Sequence, residues 1–453
     1  MGDLPRGSPP HATRAAIVVL SAALLLWPAF WNTYPIVFAD TGTHLSQAIH
    51  LYLGWDRPAV YSLFMLPLHL RLTTWPVVVA QALIAVLVLR LLWQCLAPGR
   101  SWAWMPGVCG FLAIGTWFPW TVSELMPDLF TPLLVLLLAM LIFADDRLSV
   151  RERAVAVAAT AFMIATQLSS VALAGLLIPL LFPLAWWLRR RRPGWDAPVA
   201  LGLAALVLVA ANLAGHGRAS VSPYGNVFLL ARLLDDGPAA SILRRDCPDA
   251  GWRLCPWADR FPMNSDDFLW RADSPVVPAG GHKGVSADAD AILAAAWDAE
   301  PGRVLAACLA NTWQQMVRFA SGDGLEPWPD QVSPHIIQDF PAGERAAYLS
   351  ARQQTDALAV PAWLAVLHRW VAVAGIAACI LSLPVALRRS PSLAGVMLTV
   401  LLALPVSAAV TGALSAPHDR YQSRVAWLPA CVALVGFASR PQPQPQSRLR
   451  PSA

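Results

Sequence analysis

Residues 129–144 read LFTPLLVLLLAMLIFA, an apolar run without a charged side chain. Such a run reads as one crossing of a bilayer, whose hydrocarbon core takes about 20 largely apolar residues. Working outward, comparable runs occupy 15–34, 75–96, 102–121, 154–170, 171–188, 199–213, 362–387, 393–414 and 425–437. The runs 154–170 and 171–188 are short and adjoin, so one re-entrant hairpin is the alternative to two full spans. The pattern predicts an all-α polytopic membrane protein of about ten transmembrane helices.

Composition agrees with this reading. The chain is 57% hydrophobic and 13% charged, against about 25% charged in a soluble domain. Its 21 Trp and 39 Pro suit interfaces and the loops between spans. Lys283 is the only lysine, and the Ala- and Arg-rich usage suggests a GC-rich bacterial genome. The net charge of +5 is small and lies beside apolar runs, which points to membrane orientation. No motif for nucleic acid is present, and none is expected as a partner.

Loop charges set the orientation. Arg6, Arg14, Arg90, Arg100, Arg147, Arg151, Arg153, the run 189–192, Arg388, Arg389, Arg440, Arg448 and Arg450 all fall on one side. The positive-inside rule makes that side the cytoplasm and places both termini there, in a bacterial inner membrane. The chain then divides into a cytoplasmic N-terminus (1–14) and a transmembrane module (15–213) with outer loops at 35–74 and 122–128. An extracytoplasmic segment (214–361) lies between spans seven and eight. C-terminal transmembrane helices (362–438) and a disordered cytoplasmic tail (439–453), alternating Pro and Gln over 441–445, complete it. The first run lacks a small-residue cleavage site and reads as an uncleaved anchor.

Within 214–361, helices are expected over 226–234, 287–299, 302–320 and 344–357, with no strand. Cys247 and Cys255, with seven residues between them in an oxidising compartment, are expected to form a disulfide. The other five cysteines read as core filling. In the first outer loop, Leu45, Ile49, Tyr52 and Leu53 share a face, giving either an interfacial helix or one packed on the bundle.

No Walker loop, nucleophile elbow, HExxH or Cys-rich spacing occurs. The remaining candidates collect beside the outer ends of spans. Asp40, in Phe38-Ala39-Asp40-Thr41-Gly42-Thr43-His44, reads from spacing first as a helix N-cap and second as a general base. His44, one turn on, is a weak co-ligand. Ser123-Glu124-Leu125-Met126-Pro127-Asp128 offers two carboxylates that either start a helix or form an acidic site. Ala416-Pro417-His418-Asp419-Arg420-Tyr421-Gln422-Ser423-Arg424 puts Arg420 and Arg424 on one face, where they bind a lipid phosphate or pair with Asp419. Arg57 is a further phosphate candidate unless Asp56 pairs with it.

In this arrangement the chain resembles the GT-C superfamily of membrane glycosyltransferases, which includes the protein mannosyltransferases and lipid A aminoarabinose transferases. An acid follows the first span, an acidic motif fills the next outer loop, a soluble segment comes late, and Arg420-Tyr421 precedes the closing span. The resemblance implies a polyprenyl-phosphate sugar donor, Asp40 as catalytic base, and Glu124 and Asp128 as the second acidic site. It implies a lipid phosphate held by Arg420 with Tyr421, Arg424, His418 or Arg57, and inversion at the sugar. A divalent metal is the one cofactor it admits; no residue is assigned as a metal ligand. The acceptor is a glycan, lipid or protein selected by 214–361. Gln167-Leu168-Ser169-Ser170 stands where similar proteins carry a His-containing motif, and no role is assigned there. A transporter or flippase, and a non-catalytic assembly protein, are the competing classes.

Overall fold

The computed structural model describes residues 11–189 and 193–439. Arg6, residues 190–192, Arg440, Arg448, Arg450 and the tail 441–445 therefore lie outside the described residues. The described chain is helical, and its single β-bridge pairs Ile36 with Glu124.

The first apolar run is divided. α1 (His11–Leu25) gives way at Leu26 to α2 (Trp27–Asn32), whose Pro28 occupies the first turn, where a missing N–H breaks no helical bond. α3 (Ala39–His50) and α4 (Ala59–His69) fill the first outer loop; the sequence reading did not foresee α4. α5 (Trp75–Leu96) runs unbroken. The run 102–121 is split into α6 (Met105–Gly115) and α7 (Phe118–Ser123), each again with proline in its first turn.

α8 (Phe130–Phe143) is buried along its whole length. A helix apolar on every side needs cover on every side, and here protein supplies it. The quoted run is thus the centre of the bundle. α9 (Val150–Ala165) opens on a reciprocal cap in which Ser149 Oγ accepts from the Glu152 N–H and the Glu152 carboxylate accepts from the Ser149 N–H. α10 (Leu168–Arg189) and α11 (Asp196–His216) follow, with the turn between α9 and α10 at residues 166–167.

The outer segment holds α12 (Gly225–Asp236), α13 (Pro238–Asp246), α14 (Ser265–Trp270), α15 (Gly281–Ala299), α16 (Pro301–Val317), α17 (Ser333–Asp339) and α18 (Ala342–Leu349). α19 (Ala362–Arg389) and α20 (Pro391–Leu414) are long and apolar. The last run becomes α21 (Asp419–Ala426) and α22 (Leu428–Ala438), broken before Pro429. Five helices, α5, α10, α11, α19 and α20, are long and apolar enough to cross a membrane. They mark the chain as a membrane protein.

The outer segment divides between two cores. Residues from Tyr224 to Val304 pack around Leu230, Leu234, Phe261, Phe268, Val285 and Ile292, and a Cys247–Cys255 disulfide closes a loop beside them. Val332, Ile336, Phe340 and Tyr348 belong instead to the main bundle. The helix expected over 344–357 ends at Leu349. Gln353 is the reason: its N–H donates to Asn32 Oδ1 (2.8 Å) and its amide bonds both backbone groups of Val37 (3.0 and 2.7 Å). Continuing the helix would break these ties to the first outer loop. In that loop Leu45 and Ile49 are buried whereas Tyr52 is exposed beyond the end of α3. The packed alternative for this helix therefore holds.

Candidate active site at one end of the bundle

Backbone pairing joins the first two outer loops. The Ile36 N–H donates to Ser123 O (2.9 Å) and the Leu125 N–H donates to Ile36 O (2.8 Å), which sets Glu124 opposite Ile36. Thr41 adds another tie, its hydroxyl donating to Leu125 O (3.1 Å) and accepting from the Phe38 N–H (2.9 Å). That second bond makes Phe38 the N-cap of α3 and puts Asp40 in the first turn, which corrects the N-cap reading of Asp40. With Thr41 doing the reaching back, the Asp40 carboxylate is left to face the loop.

Arg57 meets it there. Its Nη2 donates to Asp40 Oδ1 at 2.8 Å, and each side chain keeps about a quarter of its surface open (24% and 23%). Asp56 is the more distant neighbour of Arg57, at 4.0 Å. Burial works to raise the Asp40 carboxyl, and Arg57, then Arg420, outweigh it and hold it below the ordinary carboxylate value. His44 is buried, its Nδ1 lies 3.2 Å from Ser62 Oγ, and burial drops its pKa to about 4.

Asp128, just before the buried helix α8, receives both late arginines. Arg420 Nη2 donates to Oδ2 (2.7 Å) and Arg424 Nη1 to Oδ1 (2.6 Å). The Arg420–Asp419 pairing is thereby corrected: Asp419 Oδ1 instead accepts from the Ala320 N–H (2.7 Å). Burial pushes the Asp128 carboxyl up, but the two guanidinium groups bring it down to about 2. Arg420 is fixed from several sides. Its backbone N–H donates to Asp323 Oδ2 (3.0 Å), and its guanidinium lies 3.6 Å from the centre of the Phe38 ring. Its Nε and Nη1 have no hydrogen-bond partner among the described residues.

Arg424 differs. Its side chain is 2% exposed, and it also donates to Gln167 Oε1 (3.2 Å). An enclosed guanidinium already spent on a carboxylate does not reach a lipid phosphate, so its expected ligand role gives way to holding Asp128. His418 is directed to Asp266 (3.3 Å) in the outer segment, away from Asp128. Tyr421 lies against both guanidinium groups, 5.6 Å from Arg420 and 5.3 Å from Arg424.

Glu124 completes the group. Its carbonyl accepts from Gln81 (2.8 Å), while its carboxylate has no hydrogen-bond or ion-pair partner among the described residues. Burial raises its pKa to about 8 against the pull of Arg420, with Asp128, Asp323 and Asp40 adding to the rise. Among the described residues Asp40, Glu124 and Asp128 do not bring three ligand atoms together for a metal.

The structure thus gathers Asp40, Arg57, Glu124, Asp128, Arg420, Tyr421 and Arg424, and leaves His418 outside. Sequence reasoning missed Phe38 and Asp323, and it assigned no role to Gln167 in Gln167-Leu168-Ser169-Ser170. Comparison with family models, curated proteins and solved structures finds no match to this chain.

Proposed function

We propose that this chain is a membrane glycosyltransferase that moves a sugar from a polyprenyl-phosphate donor to an acceptor hydroxyl at the extracytoplasmic face. The reading takes the ten-span topology in a bacterial inner membrane, with both termini cytoplasmic and with the broken runs completing the shorter crossings. The observation that carries it is one polar network drawn from both outer loops and the entry to α21: Asp40–Arg57 on one side, Asp128–Arg420 on the other, and unpaired Glu124 between the loops.

Carboxyl groups pushed apart in pKa identify a base and an acid. Asp40, held low, is the ionised group that accepts the acceptor hydroxyl's proton. The acceptor oxygen attacks the anomeric carbon as its bond to the phosphate oxygen breaks, and the electron pair leaves on that oxygen. The configuration inverts. Arg420 turns its remaining N–H groups to the phosphate and stabilises the charge that develops there. Glu124, protonated at neutral pH, donates to the departing phosphate. Asp128 and Arg424 position Arg420. A transporter would keep its ionisable groups near the middle of its spans, whereas these belong to outer loops.

The test is turnover of pooled polyprenyl-phosphate sugars by the purified protein in lipid. Asp40→Asn is expected to lose about 100-fold or more. Equal turnover by the variant removes Asp40 from the mechanism, and absence of turnover by the wild type refutes the transferase reading.

A further inference from the structure

A second set of ligand-bearing side chains joins α3 to α17. His50 is the last residue of α3, and His335 and Asp339 lie one turn apart on α17, hence on one face. One ligand atom from each of the three lies within 4.8 Å of the other two. His50 Nε2 is 3.9 Å from Asp339 Oδ2. Neither imidazole ring makes a hydrogen bond among the described residues.

Two imidazoles and a carboxylate are a recurring donor set for zinc, with a water in the fourth position. Zinc bond lengths of about 2.0–2.2 Å set tetrahedral ligand atoms about 3.3–3.5 Å apart, so side-chain rotation of about 1 Å closes this set around an ion. The backbone frame that carries it is already tight. A Cβ on Gly42 would stand 1.8 Å from Gln331 O and 3.2 Å from His335 Cδ2, so α3 and the approach to α17 touch where only glycine fits. Ile49 and Ile336, beside the ligands, are buried in the main core. A simple ion pair between His50 and Asp339 would leave His335 without a part.

We propose that His50, His335 and Asp339 bind one divalent transition-metal ion of the zinc class, which pins α17 of the outer segment to α3. The ion is structural or regulatory, since none of its three ligands belongs to the Asp40–Arg57 and Asp128–Arg420 pairs. The inference does not rest on the transferase reading.

The test uses the full-length protein, purified without a polyhistidine tag, stripped with a chelator and held in lipid nanodiscs. Zinc chloride is titrated by calorimetry and cobalt(II) by visible absorption into wild type, His50→Ala and Asp339→Asn. The expected result is one zinc per chain and a tetrahedral cobalt spectrum in the wild type, with both lost in the variants. His50 is exposed, so His50→Ala is expected to melt like the metal-free wild type, which separates lost ligation from lost folding. No stoichiometric uptake by wild type, or equal uptake by both variants, overturns the proposal.

Discussion

Arg424 donates a 2.6 Å hydrogen bond to Asp128 across 296 residues of chain, and both side chains are enclosed. Removing the carboxylate leaves a buried guanidinium without its counter-ion, a change that costs roughly 3–5 kcal/mol. Asp128→Asn is therefore expected to lower the unfolding midpoint sharply, with Arg424→Gln in the same background costing less than it does alone. The pair also sets an acid limit. Asp128 titrates near 2 in the folded chain, below about 3.9 when unfolded, so its contribution is complete above that value and fades as pH falls towards 2. Acid unfolding of wild type and variant should converge there.

Glu124 titrates in the opposite sense. Its folded pKa of about 8 exceeds an unfolded value of about 4.3. The folded chain holds the extra proton between the two, so stability falls as pH rises across that window. Glu124→Gln should remove this dependence and melt higher than wild type at pH 8. Transfer by wild type should decline as pH rises through 8. A pH–rate profile without that limb contradicts the acid role.

Arg420→Lys keeps the charge and loses the planar fork and the stack on Phe38. We expect at least about a tenfold fall in kcat/KM for the donor, with much of it in KM. Kinetics indistinguishable from wild type would place the phosphate elsewhere.

The Cys247–Cys255 bridge closes a short loop against the core around Phe261 and Phe268. Cys247→Ser should cost roughly 2–3 kcal/mol. Limited proteolysis should then cut first between α13 and α14, and cleavage confined to other loops would contradict this.

The all-helical architecture was legible because runs such as 129–144 contain no alternative to burial. What the run did not reveal was its surroundings: a uniformly apolar helix looks the same facing lipid or protein, and α8 faces protein. Breaks at Leu26, Thr116–Trp117 and Trp427 were also hidden, since a proline in a span reads as tolerated until the helix around it is seen. Asp40, Glu124, Asp128 and Arg420 could be singled out because charge beside a span is costly. Their pairing could not, because no local rule connects Asp128 to residues so distant in the chain. The same holds for Gln353, whose bonds to Asn32 and Val37 override a helical pattern that looked continuous.

Because Ile36 takes its backbone partners from Ser123 and Leu125, the first outer loop has no finished conformation until α5, α6 and α7 have been made. Asp128 then waits for Arg420 and Arg424, 292 and 296 residues further on. At a translation rate of about 5–20 residues per second, that interval lasts roughly 15–60 s. For that time the growing chain carries an unneutralised carboxylate at the head of its most apolar helix. A nascent protein in this state is a natural client for membrane chaperones, and truncation before residue 420 would leave it permanently so.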